Sequence, residues 1–267
     1  MKETQDIHEL PTRRFFISFL FMMPRLTETA RGNDFSNKMF DSINSYHEES
    51  LALLRSTEKL YRTVTKDEEE FEKGYVEKRN KIEKLSEEDK EWADVLTSRI
   101  LEEMRNFYDL LDIEKNLFSV GMIVQFLSSL ESTLHSLYQC LISIDNHLLK
   151  IEDVCKRDKG IIRYIKYFEK TLITSTIPPI LIGTPHYEKL HQWIDFRNNI
   201  VHNNNESTDR LKEVIKLRKL KVNDQRSKFI FNKDNIRDLA NICGHTLDIL
   251  IEEIFKPYFI DSGALVD

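Results

Sequence analysis

Glycine and proline are scarce in this chain, seven and six among 267 residues. Sandwiches and barrels need such residues at regular turns. Their scarcity, with abundant Glu, Lys and Leu, argues against an all-β fold and for helices. Cysteine is rarer still. Cys140, Cys155 and Cys243 are odd in number and widely spaced, with no C-x-x-C; they suggest a reducing compartment and no cysteine-based zinc site. Positive charge is not in excess: 39 basic against 45 acidic residues leave a net −6, which argues against a globally basic nucleic-acid coat while leaving room for a local patch. The longest apolar run, Phe15-Phe16-Ile17 to Met22-Met23, stops at Pro24 and is well short of the ~20 residues that span a bilayer. Its flank mixes Glu3, Asp6 and Glu9 with Arg13 and Arg14, and no small-residue cleavage site follows. The expectation is a soluble, cytoplasmic protein without signal peptide or membrane contact.

Amphipathic helices fill what remains. Residues 1–32 read as an opening helix with an aromatic face, broken at Pro24 and docking on the rest. After the polar stretch Gly32-Asn33-Asp34, a helix is predicted over about 38–61, with Leu51, Leu54, Leu60 and Tyr61 inward. Residues 66–91 carry eleven acidic and seven basic side chains around a narrow seam of Phe71, Tyr75, Ile82 and Leu85, the pattern of a solvated helical hairpin or coiled coil. Ser86 offers an N-cap to a further helix, with Asp89 at the capping-box position. Trp92, Leu96, Ile100, Met104, Phe107 and Leu111 supply that helix's face.

From about Asn116 the chain turns more apolar. Ile123, Leu127, Leu130, Leu134, Leu137 and Leu141 form a 4-3-4-3-4 stripe that must be buried. A polar break at Asp145-Asn146 precedes a basic helix over about 151–174, and Ile177-Pro178-Pro179 with Gly183 forms a loop. Thr184-Pro185 then starts a helix with a cap and a first-turn proline, its buried face carrying Tyr187, Leu190 and Ile194. Residues 217–222 and 228–231 flank the turn-like Asn223-Asp224 and predict a small β-hairpin. A last helix, about 234–255, turns Ile236, Leu239, Cys243, Leu247, Leu250 and Ile254 inward. The fold class is therefore all-α, a bundle with long helices. Its regions are an N-terminal charged helical part (1–115), a more apolar domain (116–258) and a loose tail (259–267).

The sharpest segment is Trp193-Ile194-Asp195-Phe196-Arg197-Asn198-Asn199-Ile200-Val201-His202. Arginine and histidine with four residues between them recur readily in a chain with sixteen arginines and eight histidines, so context carries the inference. Asn198 follows the arginine, Ile200-Val201 precedes the histidine, and the whole ends a well-capped helix lying between a long apolar helix and a final one. This combination resembles the HEPN superfamily, helical domains whose active members are metal-independent ribonucleases. The family's motif is an arginine, usually a polar residue after it, four to six residues, then histidine; Arg197, Asn198 and His202 match it. The resemblance covers roughly residues 115–258. It also implies an acidic residue in the domain's first long helix, for which Glu131 is the candidate, and a dimer with a composite active site.

The chemistry needs no metal and no cofactor. Histidine, with an ordinary pKa near 6.5, can take the proton of a ribose 2′-hydroxyl or protonate a leaving 5′-oxygen. Arginine grips a phosphate with paired N–H bonds and steadies the charge of its transition state. Asn198 shares a helical face with His202, and Glu131 can fix Arg197 by a charge-assisted pair. The resemblance implies a 2′,3′-cyclic phosphate and a 5′-hydroxyl as products. At 100° per residue, Arg197 and His202 point about 140° apart on one straight helix. Either the helix ends near Ile200, or two copies of the motif meet across a two-fold axis.

Residues 197–228 hold nine basic and four acidic side chains. Arg210, Lys212, Lys216, Arg218, Lys219 and Lys221 cluster there and can hold an RNA backbone, or form an ordinary exposed face. His186 and His191, five apart, lack a third ligand, so metal binding is not expected. An RNA endonuclease, as a toxin or antiviral-defence effector restrained by an antitoxin or a sensor ATPase, is one reading. A non-catalytic HEPN-like scaffold subunit is the other. The position two residues after His202 is Asn204, where toxins of the family that pair with nucleotidyltransferases often have a modifiable tyrosine. The chain itself has neither a P-loop nor a nucleotidyltransferase pattern.

Overall fold

The computed structural model describes residues 30–85, 89–145, 147–173, 179–203, 211–217, 221–223 and 228–255. The expected opening helix over 1–32 and the tail over 259–267 lie outside these, apart from residues 30–32. The protein is all-α, a bundle with long helices. Helix α1 spans Ala30–Leu85 and α2 spans Lys90–Ile144, 56 and 55 residues, so α1 extends about 84 Å. They run antiparallel: Lys78 pairs with Glu103, Glu68 with Lys115, Tyr61 with Ser119 and Glu49 with Ser129. Their outer half is held by a narrow seam in which Phe71 stacks on Phe107, ring centroids 3.9 Å apart.

The rest packs around the inner half of α2. Short α3 (Ile151–Val154), α4 (Gly160–Leu172), α5 (Pro185–Asn203) and short α6 (Lys212–Leu217) follow one another. Strands β1 (Lys221–Asn223) and β2 (Lys228–Ile230) form an antiparallel hairpin, Val222 opposite Phe229. Helix α7 (Lys233–Ile249) starts from a reciprocal Asn232–Asn235 capping box and continues as a π-helical turn, Leu250–Phe255. One core joins the α2 stripe (Ile123 to Leu141), Ile165 and Phe168 of α4, Trp193 and Phe196 of α5, and the α7 stripe (Ile236 to Ile254). Met39, Ile43 and Tyr46 of α1 belong to the same core.

Several expected boundaries move. The two helices expected over 38–61 and 66–91 are one, and Gly32-Asn33-Asp34 lies within it. Nothing between Arg62 and Thr65 breaks a helix, and Gly74, which costs about 1 kcal/mol in a helix interior, meets no neighbour. Asp89, rather than Ser86, caps α2, its side chain accepting from the Trp92 N–H at 3.1 Å; Ser86 lies outside the described residues. Trp92 is 54% exposed, and the seam starts instead at buried Ala93. The basic helix expected over 151–174 is split before Gly160, which takes φ +58°. The boundary set at 115/116 falls inside the unbroken helix α2. An eighteen-residue stretch of Lys90–Ser143 is long and apolar enough to cross a membrane by length and composition, and 44% of it is buried. The buried leucine stripe of α2 is compatible with the core helix of a soluble bundle.

Candidate active site

Helix α5 is fixed in rotation before any functional residue is considered. Thr184 caps it, accepting from the Tyr187 N–H at 3.2 Å. The preceding loop is tied down by buried Glu169 of α4, whose Oε1 accepts from the backbone N–H groups of Leu181 and Ile182. Leu190, Trp193 and Phe196 point into the core, fully buried. Trp193 Nε1 donates to Asp238 of α7 at 3.2 Å, and the Trp193, Phe196 and Phe231 rings pack at 5.7–6.2 Å between centroids. Tyr187 and Leu190 are buried as expected, but Trp193 and Phe196 rather than Ile194 continue the buried face, because the large rings claim the core. Ile194 and Arg197 sit at its edge, half-buried.

That rotation turns Ile194, Arg197, Asn198 and His202 toward a cleft of about 400 Å³, whose other walls are Leu127 and Glu131 of α2 and Lys159, Gly160 and Ile161 at the start of α4. Arg197, Asn198, His202 and Glu131 therefore line one cleft, although Glu131 is 66 positions before Arg197 in sequence. Arg197 Nη2 lies 3.8 Å from Glu131 Oε2, each side chain about one-third exposed. At that distance and exposure the pair orients more than it stabilises. Arg197 Nε is buried with no hydrogen-bond partner among the described residues. Gly160 closes on Glu131 from the far side: a Cβ built there would stand 3.4 Å from Oε1. Glu131 also helps to raise the Tyr164 phenol above its ordinary range, after burial, the larger cause.

Helix α5 does not end at Ile200 but continues to Asn203. Both residues nonetheless reach one cleft of a single chain, because the cleft spans a broad arc of α5. Asn198 and His202 form one row, and Arg197 reaches from the edge toward Glu131. His202 is exposed. Asn199, which the sequence reading passed over, is 5% exposed and its amide has no partner among the described residues.

The basic arm is only partly placed. Arg210, Arg218 and Lys219 lie outside the described residues, as do the side chains of Lys212 and Lys221. Lys216 is exposed on α6 and does not line the cleft. Lys159, which does, was legible only as one charge of the run Lys156-Arg157-Asp158-Lys159. His186 bonds Thr246 at 2.9 Å and meets the His245 ring edge-on, and burial lowers its pKa first, the His245 charge second. His191 faces Asp195 at 3.4 Å. Among the described residues no three His, Cys, Asp or Glu side chains gather as metal ligands. The three cysteines are buried, and burial pushes the Cys243 thiol up to about 12, leaving it inert. A second groove, about 300 Å³ between α1 and α2, is lined mainly by hydroxyls with Asp41 and Glu49; it holds no cation or imidazole for phosphate chemistry.

No family model matches the chain, and no curated protein or solved structure is significantly similar to it.

Proposed function

We propose that this protein is a metal-independent endoribonuclease of the HEPN type. The observation that supports this most is the shared cleft: the arginine, asparagine and histidine of the motif and the carboxylate that the resemblance implied line it from two separate helices. In the proposed reaction His202 accepts the 2′-hydroxyl proton as the 2′-oxygen bonds to phosphorus. It returns a proton to the 5′-oxygen as the P–O5′ bond breaks. Arg197 holds the phosphate and steadies its transition-state charge. Asn198 orients the imidazole or a phosphate oxygen, and Glu131 positions Arg197. The products are a 2′,3′-cyclic phosphate and a 5′-hydroxyl. The enzyme works in the cytoplasm as a homodimer, a toxin or antiviral-defence effector restrained by a partner protein, and exposed Val201 beside the motif suits a subunit contact.

A second reading, a non-catalytic scaffold subunit, draws on the outer hairpin, where Val76, Trp92, Val95, Leu101 and Leu110 are more than half exposed. Expression of wild type beside His202→Ala in bacteria, with total-RNA electrophoresis and end-group analysis, separates the two. Cleavage to cyclic-phosphate ends by wild type alone, unchanged by EDTA, is expected. Intact RNA with both folded proteins, also after purification with native neighbours, supports the scaffold.

A further inference from the structure

The cleft holds more positive charge than the motif supplies. Lys159 stands on the wall formed by the start of α4, across from the α5 residues, and lines the same cavity. Its side chain is exposed, and no carboxylate among the described residues pairs with it. The neighbouring Asp158 is already engaged by Lys166 at 2.5 Å, an interaction that holds the Lys166 ammonium above its ordinary range. Glu131, the one carboxylate lining the cleft among the described residues, faces Arg197. Among the described residues, two basic side chains thus line a cavity with one carboxylate. Between them the floor is apolar, formed by Leu127, Ile161 and Ile194. A cationic rim over an apolar floor suits a ligand with both a phosphate and a flat or ring-shaped uncharged part.

We propose that Lys159 and this floor form a subsite for one unstacked nucleotide of single-stranded RNA, with Lys159 holding the phosphate next to the scissile one. This rests on the nuclease reading above and extends it to a substrate class. About 400 Å³ lies at the small end of ligand clefts, in keeping with one nucleotide. A duplex keeps its bases stacked and presents only its phosphates and 2′-hydroxyls to such walls. Lys159 is a substrate-binding residue here and takes no part in proton transfer.

The test uses the full-length His202→Ala protein for binding and otherwise wild-type protein for cleavage. A fluorescent single-stranded RNA and its duplex are titrated at several salt concentrations, with Lys159→Ala and Lys159→Arg beside the parent. Removing one phosphate contact from a single strand should lower the slope of log affinity against log salt by about 0.7. Lys159→Ala should raise KM about 5- to 10-fold, as expected for one lost charged contact of roughly 1 kcal/mol, with kcat within about two-fold. Lys159→Arg should restore both, and the duplex should bind at least about ten-fold more weakly than the single strand. An unchanged salt slope and KM in Lys159→Ala, with cleavage intact, overturns this proposal and leaves the nuclease standing. Equal affinity for duplex and single strand overturns the nucleotide subsite. If the protein neither binds nor cleaves RNA, both readings fall together.

Discussion

At the scale of single residues, the cleft depends on one backbone position that the motif does not contain. Gly160 has φ +58° and faces the Glu131 carboxylate at van der Waals distance. An L side chain is strained in that conformation by roughly 1–2 kcal/mol, although its Cβ would meet the Glu131 carboxylate only at ordinary van der Waals distance. Gly160→Ala should therefore lower unfolding free energy by about 1–2 kcal/mol in urea. A variant as stable as wild type would show that the left-handed backbone at the start of α4 carries no such strain. Asn199 makes the converse point: in Arg197-Asn198-Asn199 one amide reaches the cleft and the next is buried without a partner. Only the helix's rotation tells the two apart.

Among the elements, α7 carries a charge against its own packing. Asp248 has a buried Oδ1 without a hydrogen-bond partner among the described residues, and desolvation, followed by the nearby Glu252 charge, raises its carboxyl to about 6. In the unfolded chain an aspartate titrates near 3.9. Between about pH 4 and 6 the folded state therefore binds more protons than the unfolded one, and stability falls as pH rises through that window. The penalty is complete above pH 6. Thermal melts of wild type should drop in Tm from pH 4.5 to pH 7, whereas Asp248→Asn should show a smaller drop and melt higher at pH 7. Equal pH profiles for the two proteins would remove Asp248 as the cause. Helix α5 is placed with more redundancy, by the Thr184 cap, the Glu169-bound loop and the Trp193–Asp238 bond. For this reason the motif's orientation should tolerate the loss of any one of them better than the loss of Trp193 itself.

For the whole molecule, the open matter is how many chains make a site. A straight helix over Arg197–His202 suggested that two copies were needed, yet one chain's cleft takes both side chains. A tandem fusion of an Arg197→Ala copy and a His202→Ala copy distinguishes the cases. If each cleft works alone, both are damaged and activity should fall to the level of the double mutant, less than about one-hundredth of wild type on the usual cost of losing a general acid–base. About half of wild-type activity would instead mean that arginine from one copy serves histidine from the other. No residue of the outer hairpin lines the cleft among the described residues. Its exposed Val76, Trp92, Val95 and Leu101 lie outside the Phe71–Phe107 seam that joins the two helices.

The sequence by itself determined the helical class, the buried stripes of α2 and α7, the Thr184-Pro185 start and the motif, because each is written in local periodicity or capping chemistry. It placed the small hairpin to within a few residues for the same reason. It could not determine that α1 is unbroken, since seam packing along α2 outweighs a few polar residues and two glycines. Nor could it give the rotation of α5, which Trp193 and Phe196 set by filling the core ahead of Ile194. Tertiary structure alone brought Glu131 and Lys159 to the motif. Neither has a fixed spacing from Arg197, and only the packing of α2, α4 and α5 around one core makes distant charges neighbours.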